Sequence, residues 1–495
     1  MEPSPTRPGL LASILLTLAS AIVPGSGLLG ARRRGLRYLG AVAVVVPVAA
    51  IVFVLAQGSE IVRVGARWVA SGGVLARVSA GLAVGTVVWV LLILVTHLAT
   101  RPRRPSRSQR AVGAVAVVVS ALLVAVPGAL ASRYAYDASA LVHNVVKDAS
   151  VVKASSRPTL AGPSDPWAGI PRLNVLLLGA DTSKARLERD NQRGILTDTI
   201  MVASIDTATG DLALIQIPRN VQFVPFPEGS ELAELFPDGY RGPGVSEEWF
   251  INTLWSKVES DYPHVLAGNT YRGAEALKQG VEGVTGLEID YFVMLNLDGI
   301  QALIDAMGGV TVNINPVEGY PGLAIGGKTE PYVAPSGYLT PGPDQHLDGF
   351  NAMWYARSRS NTNDYDRMKR QSCLIKAIID QANPQTLLAR FEAVAAASGD
   401  MLVTDIPSQD LGPLVDLAFR VRDGKVRRLA FVNGVNYSYR NPDFTEMRDA
   451  VSKVISPRPT ATATASATKG PSSARPSAAP PKGAEDVGDA CAYTG

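Results

Sequence analysis

The 495-residue chain predicts an α/β protein in two parts, four transmembrane helices at the N-terminus followed by an extracellular α-β-α sandwich. Three observations carry that expectation. Four long runs without Lys, Arg, Asp or Glu crowd the first 132 residues of a chain that is 47% hydrophobic. Beyond residue 172, β-rich runs alternate with helical patterns, the order that builds helices onto the faces of a sheet. Charge divides at the same border: residues 1–132 hold 13 Arg against Glu2 and Glu60, net +11, which leaves −8 of the total +3 for the rest.

The uncharged runs cover residues 9–30, 38–56, 78–100 and 111–131, each long enough to cross about 30 Å of hydrocarbon. Within the first, Pro24, Gly25 and Gly27 also allow a re-entrant hairpin, which would move only the N-terminus. Arg32, Arg33, Arg34 and Arg37 fill one short loop, and Arg101, Arg103, Arg104, Arg107 and Arg110 another. Short basic loops stay cytoplasmic, so everything beyond the fourth run is expected outside the cell. Residues 1–132 thus form a multi-pass membrane domain. Its Ala/Val/Gly/Arg-rich helices suit a high-GC, actinobacterial host.

Residues 133–171 read as an extracellular stalk: RYAYDASALVHNVVKDASVVK as a short helix with His143 on its surface, then RPTLAGPSDPWAGIPR as a Pro/Gly spacer. Residues 172–455 make the sandwich. LNVLLLG (173–179) is an apolar run ending in glycine, as in a buried central strand. Residues 199–206 and 211–219 form two strands joined by TATG. Asp181 then follows the first strand, Asp198 precedes the second and Arg219 ends the third, so adjacent pairing would gather all three at one sheet edge, where ligands collect in α/β sheets. Helices are expected near 249–255, 271–284 and 297–307, strands at 291–296 and 310–314, and loops across the Gly/Pro-rich 316–343. Asp348 is placed to cap the next helix. Residues 456–495 form a disordered tail, since the Pro, Ser, Thr and Ala of 456–483 cannot bury a core. Cys373 and Cys491, the two cysteines, both fall on the oxidising side, and a disulfide between them would tie the tail back.

Residues 354–371, WYARSRSNTNDYDRMKRQ, read as an anion clamp. On a helix starting near Asp366, Arg367 and Gln371 share a face, Arg370 lies about 60° to one side, and Leu374 and Ile378 continue the stripe. Guanidinium forks and N-terminal amides favour phosphate, while the apolar turns beyond favour hydrocarbon. The stripe is expected to run from an anionic head to a lipid tail in one pocket.

These motifs, taken together, resemble the LytR-CpsA-Psr family, whose members attach glycopolymers to bacterial cell walls. The resemblance is carried by LNVLLLGAD, TDTIMVASID, ALIQIPRN, GLEIDYFVMLNLDGIQALIDAMGGVTVNI, HLDGFNAMWYARSR and DYDRMKRQ, in this order behind membrane helices. It implies a phosphotransferase that moves a glycopolymer from a polyprenyl diphosphate carrier to a peptidoglycan hydroxyl with Mg²⁺. It implies Asp181 and Asp198 as metal ligands and Arg219, Arg359, Arg367 and Gln371 as diphosphate contacts. Arg357 and Asp364 fall within the same pattern, and Arg370 joins the expected substrate-binding set. The proton acceptor is Asp364 or one of the metal-side aspartates. Leu196-Thr197-Asp198 stands where the family often has Arg-Ser-Asp, and Pro218-Arg219-Asn220 where it often has Pro-Arg-Asp; Arg193 could supply the cation lost from the first.

Other chemistries find little footing. Four His, two Cys, no CxxC pair, no Walker loop and no GxSxG elbow leave few metal-hydrolase, redox, nucleotide or serine-hydrolase options. The acidic outer part argues against a nucleic-acid partner, which needs a basic footprint. Two competing readings share the prenyl diphosphate ligand: a non-catalytic glycan-binding or regulatory module, and a hydrolase that cleaves the carrier diphosphate with water.

Overall fold

A computed structural model describes residues 9–56, 72–102, 105–145, 149–161, 165–180, 196–244, 246–328, 333–359, 362–381, 402–456 and 482–495. The chain divides into two compact units, Met1–His143 and Asn144–Gly495.

In the first unit, three described helices are long and apolar enough to cross a membrane: Arg34–Phe53, Gly73–Thr100 and Arg107–Asp137. The first expected span is corrected. Its helix, Leu10–Ile22, is only 13 residues long, about 20 Å, because the chain turns at Gly25 (φ 78°) into a short 3-10 segment. Leu11, Leu15 and Ile22 face outward, while Ser13, Thr17 and Ser20 are buried. The Ser13 and Ser20 hydroxyls meet those of Thr100 and Thr96 at 3.0 and 3.1 Å, so the polar face of this short helix is satisfied against its neighbour.

The second unit is an α/β sandwich around a seven-stranded mixed sheet of order β11-β10-β3-β2-β1-β4-β9. The strands are β1 (Arg172–Ala180), β2 (Thr197–Asp206), β3 (Leu212–Ile217), β4 (Tyr291–Asn296), β9 (Leu402–Thr404), β10 (Val426–Ala430) and β11 (Ala484–Asp486). Alternation sorts the central strand onto two faces. Leu176 and Leu178 pack with the helices Leu254–Asp261, Arg272–Thr285 and Phe444–Ile455. Leu173 and Val175 pack on the opposite face with the helix Leu411–Asp423 and Val487 of the C-terminal segment. A side lobe contains the paired strands β5 (Val310–Ile314) and β8 (Gly342–Leu347) and the hairpin β6 (Leu323–Lys328) with β7 (Val333–Leu339). This hairpin corrects the expected loop over 316–343. Gly326 and Gly327, both at positive φ, make the irregularity in its register, so the glycines that read as loop are bends within a strand pair.

The stalk and the tail are corrected too. Residues 133–145 continue the long helix Arg107–Val145. Residues 151–157 and 165–171 pack onto the sandwich as part of it: Val152 and Trp167 are buried, Lys153 N–H donates to Thr270 Oγ1 at 2.8 Å, and Ser155 Oγ donates to Glu275 Oε1 at 2.9 Å. The Pro/Gly-rich composition conceals this, because the partners come from residues more than a hundred positions away. At the C-terminus, residues 482–495 are not a disordered tail. β11 pairs antiparallel with β10, the turn Val487–Ala490 follows, and Cys491 is bonded to Cys373 with their Cα atoms 5.6 Å apart. The low-complexity residues 457–481 lie outside the described residues.

Candidate active site

Strand directions gather the site. β2 is antiparallel to both β1 and β3, so the end of β1, the start of β2 and the end of β3 share one edge. Asp198 is the second residue of β2 rather than a residue before it, and Arg219 stands two residues past β3. Arg219 Nη1 donates to Asp198 Oδ1 at 2.6 Å. Asp181 follows Ala180 in sequence and, like Arg193, lies outside the described residues.

Above this edge lies the helix Asp364–Gln381, which starts at Asp364, two residues earlier than the sequence pattern predicts. Asn363 begins it, its side-chain oxygen accepting from Asp366 N–H at 2.8 Å. Between the helix and the sheet is a cavity of ≈ 880 Å³. Asp198, Arg219, Arg357, Ser358, Arg359, Arg367 and Gln371 line its polar part, and Leu177, Val293, Leu295, Leu374, Ile375 and Ile378 its apolar part. All four residues of the stripe Arg367, Gln371, Leu374 and Ile378 therefore face one space.

Arg367 dominates the electrostatics. Its side chain is 7% exposed, Nη2 donates to Asp364 Oδ1 at 2.8 Å, and Nε is buried without a partner. Burial lowers its pKa to about 10; Asp364 pulls it back up, while Arg359 and Arg219 push it further down. Three guanidinium groups thus converge with too little carboxylate between them, since Asp364 is itself half exposed and Arg359 Nε stands 4.0 Å from it. Ser358 Oγ and Trp354 Nε1 are two more buried polar atoms on the cavity wall without a hydrogen-bond partner. Such orphans cost about 1–3 kcal/mol each in an empty site and are satisfied by a ligand that accepts hydrogen bonds.

Gln371 is held as well as presented. Its Nε2 donates to Thr199 Oγ1 at 3.0 Å and to the Ala356 carbonyl at 3.4 Å. Gly179 makes room for this, since a Cβ there would stand 2.9 Å from the Thr199 Cβ. Arg357 lines the cavity with its guanidinium 5.6 Å from the Trp354 ring centre. The structure does not bring every expected residue to the cavity. Asp364 touches Arg367 but is not part of the wall. Arg370 is corrected from a ligand contact to a structural group: it turns away to donate to the Tyr355 carbonyl at 2.7 Å and to the Ser358 carbonyl, closing the end of the helix Gly349–Arg357. Sequence reading missed Ser358, Trp354, Thr199 and the hairpin residues Gly326, Gly327 and Val333 that also line the cavity. The spacing of Leu177 on β1, pointing opposite to Leu176 and Leu178, was the available signal for the apolar floor.

Among the described residues no group of three or more His, Cys, Asp or Glu could hold a metal ion. Asp198 still offers one hard carboxylate at the cavity edge. Mg²⁺ usually takes one or two carboxylates with phosphate oxygens and water, and Asp198, whose Oδ1 also accepts from Arg219, is one donor of that kind.

The site is thus a polar, arginine-rich mouth joined to an apolar floor on an α/β sandwich. The family model for LytR_cpsA_psr matches residues 145–448, and the chain belongs to that family. It is 26% identical over 259 residues to polyisoprenyl-teichoic acid–peptidoglycan teichoic acid transferase TagU of Enterococcus faecalis, covering 52% of this chain and 68% of that one. It is 29% identical over 279 residues to the probable cell wall biosynthesis protein LcpB of Corynebacterium glutamicum, covering 54% and 56%. The crystal structure of Bacillus subtilis TagV aligns at 20% identity over 57% of this chain and 94% of that one, with a TM-score of 0.37.

Proposed function

We propose that the protein is a membrane-anchored, Mg²⁺-assisted phosphotransferase that moves a glycopolymer from a polyprenyl diphosphate carrier to a peptidoglycan hydroxyl. The observation that carries this reading is the single cavity in which Arg219, Arg359 and Arg367 face the same space as Leu374 and Ile378. A diphosphate ester resists attack because its charge repels a nucleophile and its leaving group departs as an anion. Arginines aimed at both phosphates relieve both effects without reorganising. The acceptor hydroxyl oxygen bonds to the sugar-side phosphorus, the bridging P–O bond breaks, and prenyl monophosphate leaves. Asp364, exposed beside Arg359 and Arg367, or one of the metal-side aspartates would take the hydroxyl proton. Asp198 and, by the family resemblance, Asp181 would hold Mg²⁺, which supplies charge neutralisation at the phosphates. The two basic loops keep the ends of the long helices at the cytoplasmic face and put the sandwich outside the cell, where peptidoglycan lies. Relatives named as teichoic acid–peptidoglycan transferases support the reaction class.

Incubating the full chain in nanodiscs with a prenyl diphosphate oligosaccharide, Mg²⁺ and peptidoglycan tests this. The expected product is wall-linked glycan phosphate with equimolar prenyl monophosphate. Free glycan phosphate regardless of acceptor would make it a hydrolase, and saturable binding without turnover a binding module.

The apolar floor makes a separate prediction. Leu374→Ser is expected to weaken binding of a long-chain prenyl diphosphate more than of a short-chain analogue with the same head, because each buried CH₂ contributes about 0.8 kcal/mol. Ile378→Ser, at a half-buried position, gives the same contrast with less damage to packing. Equal losses for long and short donors in both variants would remove the lipid tail from this floor.

A further inference from the structure

Arg428 is completely buried on β10, and its positive charge is answered by Glu485 of β11, a carboxylate from the C-terminal segment past the family-matched residues. Tyr365 of the site helix completes the cluster: its hydroxyl donates to Glu485 Oε1 at 3.0 Å, and its ring centre lies 5.1 Å from the Arg428 guanidinium carbon. Arg428 Nη2 then donates to Gln216 Oε1 at 3.1 Å, and Gln216 Nε2 reaches Gln371 Oε1 at 3.5 Å. Gln371 Nε2 then donates to Thr199 Oγ1 and to the Ala356 carbonyl, both residues of the cavity wall.

Each amide in this series has a donor end and an acceptor end, and only its partners decide which way it points. Ser372, which also bonds Gln216 Oε1 at 3.0 Å, carries a hydroxyl that can donate or accept and so cannot set the direction. Arg428 can only donate. Its guanidinium pins the oxygen of Gln216, which turns the Gln216 N–H toward Gln371 and, together with the Ala356 carbonyl, which can only accept, keeps the Gln371 oxygen away from the cavity. Were the amides to flip, Gln371 would present an acceptor oxygen to a site built for an anion.

We propose that Glu485, Arg428 and Gln216 are positioning residues of the donor site, through which the C-terminal segment holds the Gln371 amide with its Nε2 end on the cavity wall and its oxygen turned away from the diphosphate. The disulfide Cys373–Cys491 is an independent link between the same two elements, since it bonds the segment to the helix that carries Arg367 and Gln371. The proposal rests on the reading of the cavity as a diphosphate site.

The test is a double-mutant cycle read as Kd in full-length protein, with a prenyl diphosphate and the matching prenyl alcohol as probes. Glu485→Gln and Arg428→Met are each expected to weaken prenyl diphosphate binding about tenfold, the size of one hydrogen bond to a charged group. In a Gln371→Ala background the same changes should cost less than about twofold, because coupled residues are not additive. Binding of the prenyl alcohol should not move, whereas general loosening of the fold would weaken both probes in both backgrounds. Arg428→Met covers the case in which Glu485→Gln leaves a buried cation that prevents folding, since it removes the charge itself. Equal losses with and without Gln371, or wild-type affinity in Arg428→Met, would overturn the proposal. Arg367→Ala separates this from the underlying reading: if it too binds prenyl diphosphate like the wild type, the cavity is not the donor site.

Discussion

Arg367→Ala is expected to weaken prenyl diphosphate binding by about a hundredfold or more, for long and short chains alike, and to remove transfer activity with it. Two charge-assisted hydrogen bonds of roughly 1.5–3 kcal/mol each account for a loss of that size. The unliganded protein should not lose stability in proportion. A guanidinium whose pKa has fallen to about 10 is disfavoured as a cation in the folded state, so its charge opposes folding at neutral pH. That opposition fades as pH rises through about 10, where the folded protein begins to release the proton. Arg367→Met, which keeps most of the side-chain volume, should therefore melt at or above the wild-type temperature while binding as poorly as Arg367→Ala. The same titration predicts that wild-type donor affinity declines as pH rises past about 10. Isothermal titration of both variants checks this, and wild-type affinity in a folded Arg367→Met would take the diphosphate away from this arginine.

How much of this was legible in the sequence depended on how local the signal was. β4 (Tyr291–Asn296), the helix Leu297–Met307 and β5 (Val310–Ile314) appear with the expected bounds, because side-chain periodicity and the Gly308-Gly309 stop are local signals. The stripe on the site helix was legible for the same reason: helical spacing alone puts Arg367, Gln371, Leu374 and Ile378 in line. Arg370 was misread since angle on a helix says which way a side chain leaves, not which carbonyl it finds. Its partners at Tyr355 and Ser358 belong to the preceding helix and turn. The docked segment before β1 and the clasp after residue 482 were hidden for a different reason. Their order comes from strand pairing with β10, from buried Val152 and Trp167 and from hydrogen bonds to distant residues, none of which composition records. The short first helix was half legible, since Pro24 and Gly25 marked the break but the 22-residue length of the uncharged run outweighed them.

Asp198→Ala and Asp181→Ala should each leave the sandwich folded and lower Mg²⁺-dependent transfer by about a hundredfold or more, because a lost carboxylate leaves the diphosphate charge uncompensated. For Asp198 a second role competes with metal binding, since its Oδ1 accepts from Arg219 at 2.6 Å and so steadies a guanidinium at the cavity mouth. Asp198→Asn separates the two. Its side-chain oxygen can still accept from Arg219, but it offers no charge to a divalent cation. If Asp198 serves the metal, Asp198→Asn should be nearly as slow as Asp198→Ala, and the Mg²⁺ concentration for half-maximal rate should rise in both. If it serves only Arg219, Asp198→Asn should run near the wild-type rate with an unchanged Mg²⁺ requirement, and Asp198→Ala should lose donor affinity rather than metal response. Transfer rates measured over a Mg²⁺ titration for these two variants and for Asp181→Ala decide the matter. Wild-type rates and an unshifted titration in Asp198→Asn would remove this aspartate from the metal site and leave it as the partner of Arg219.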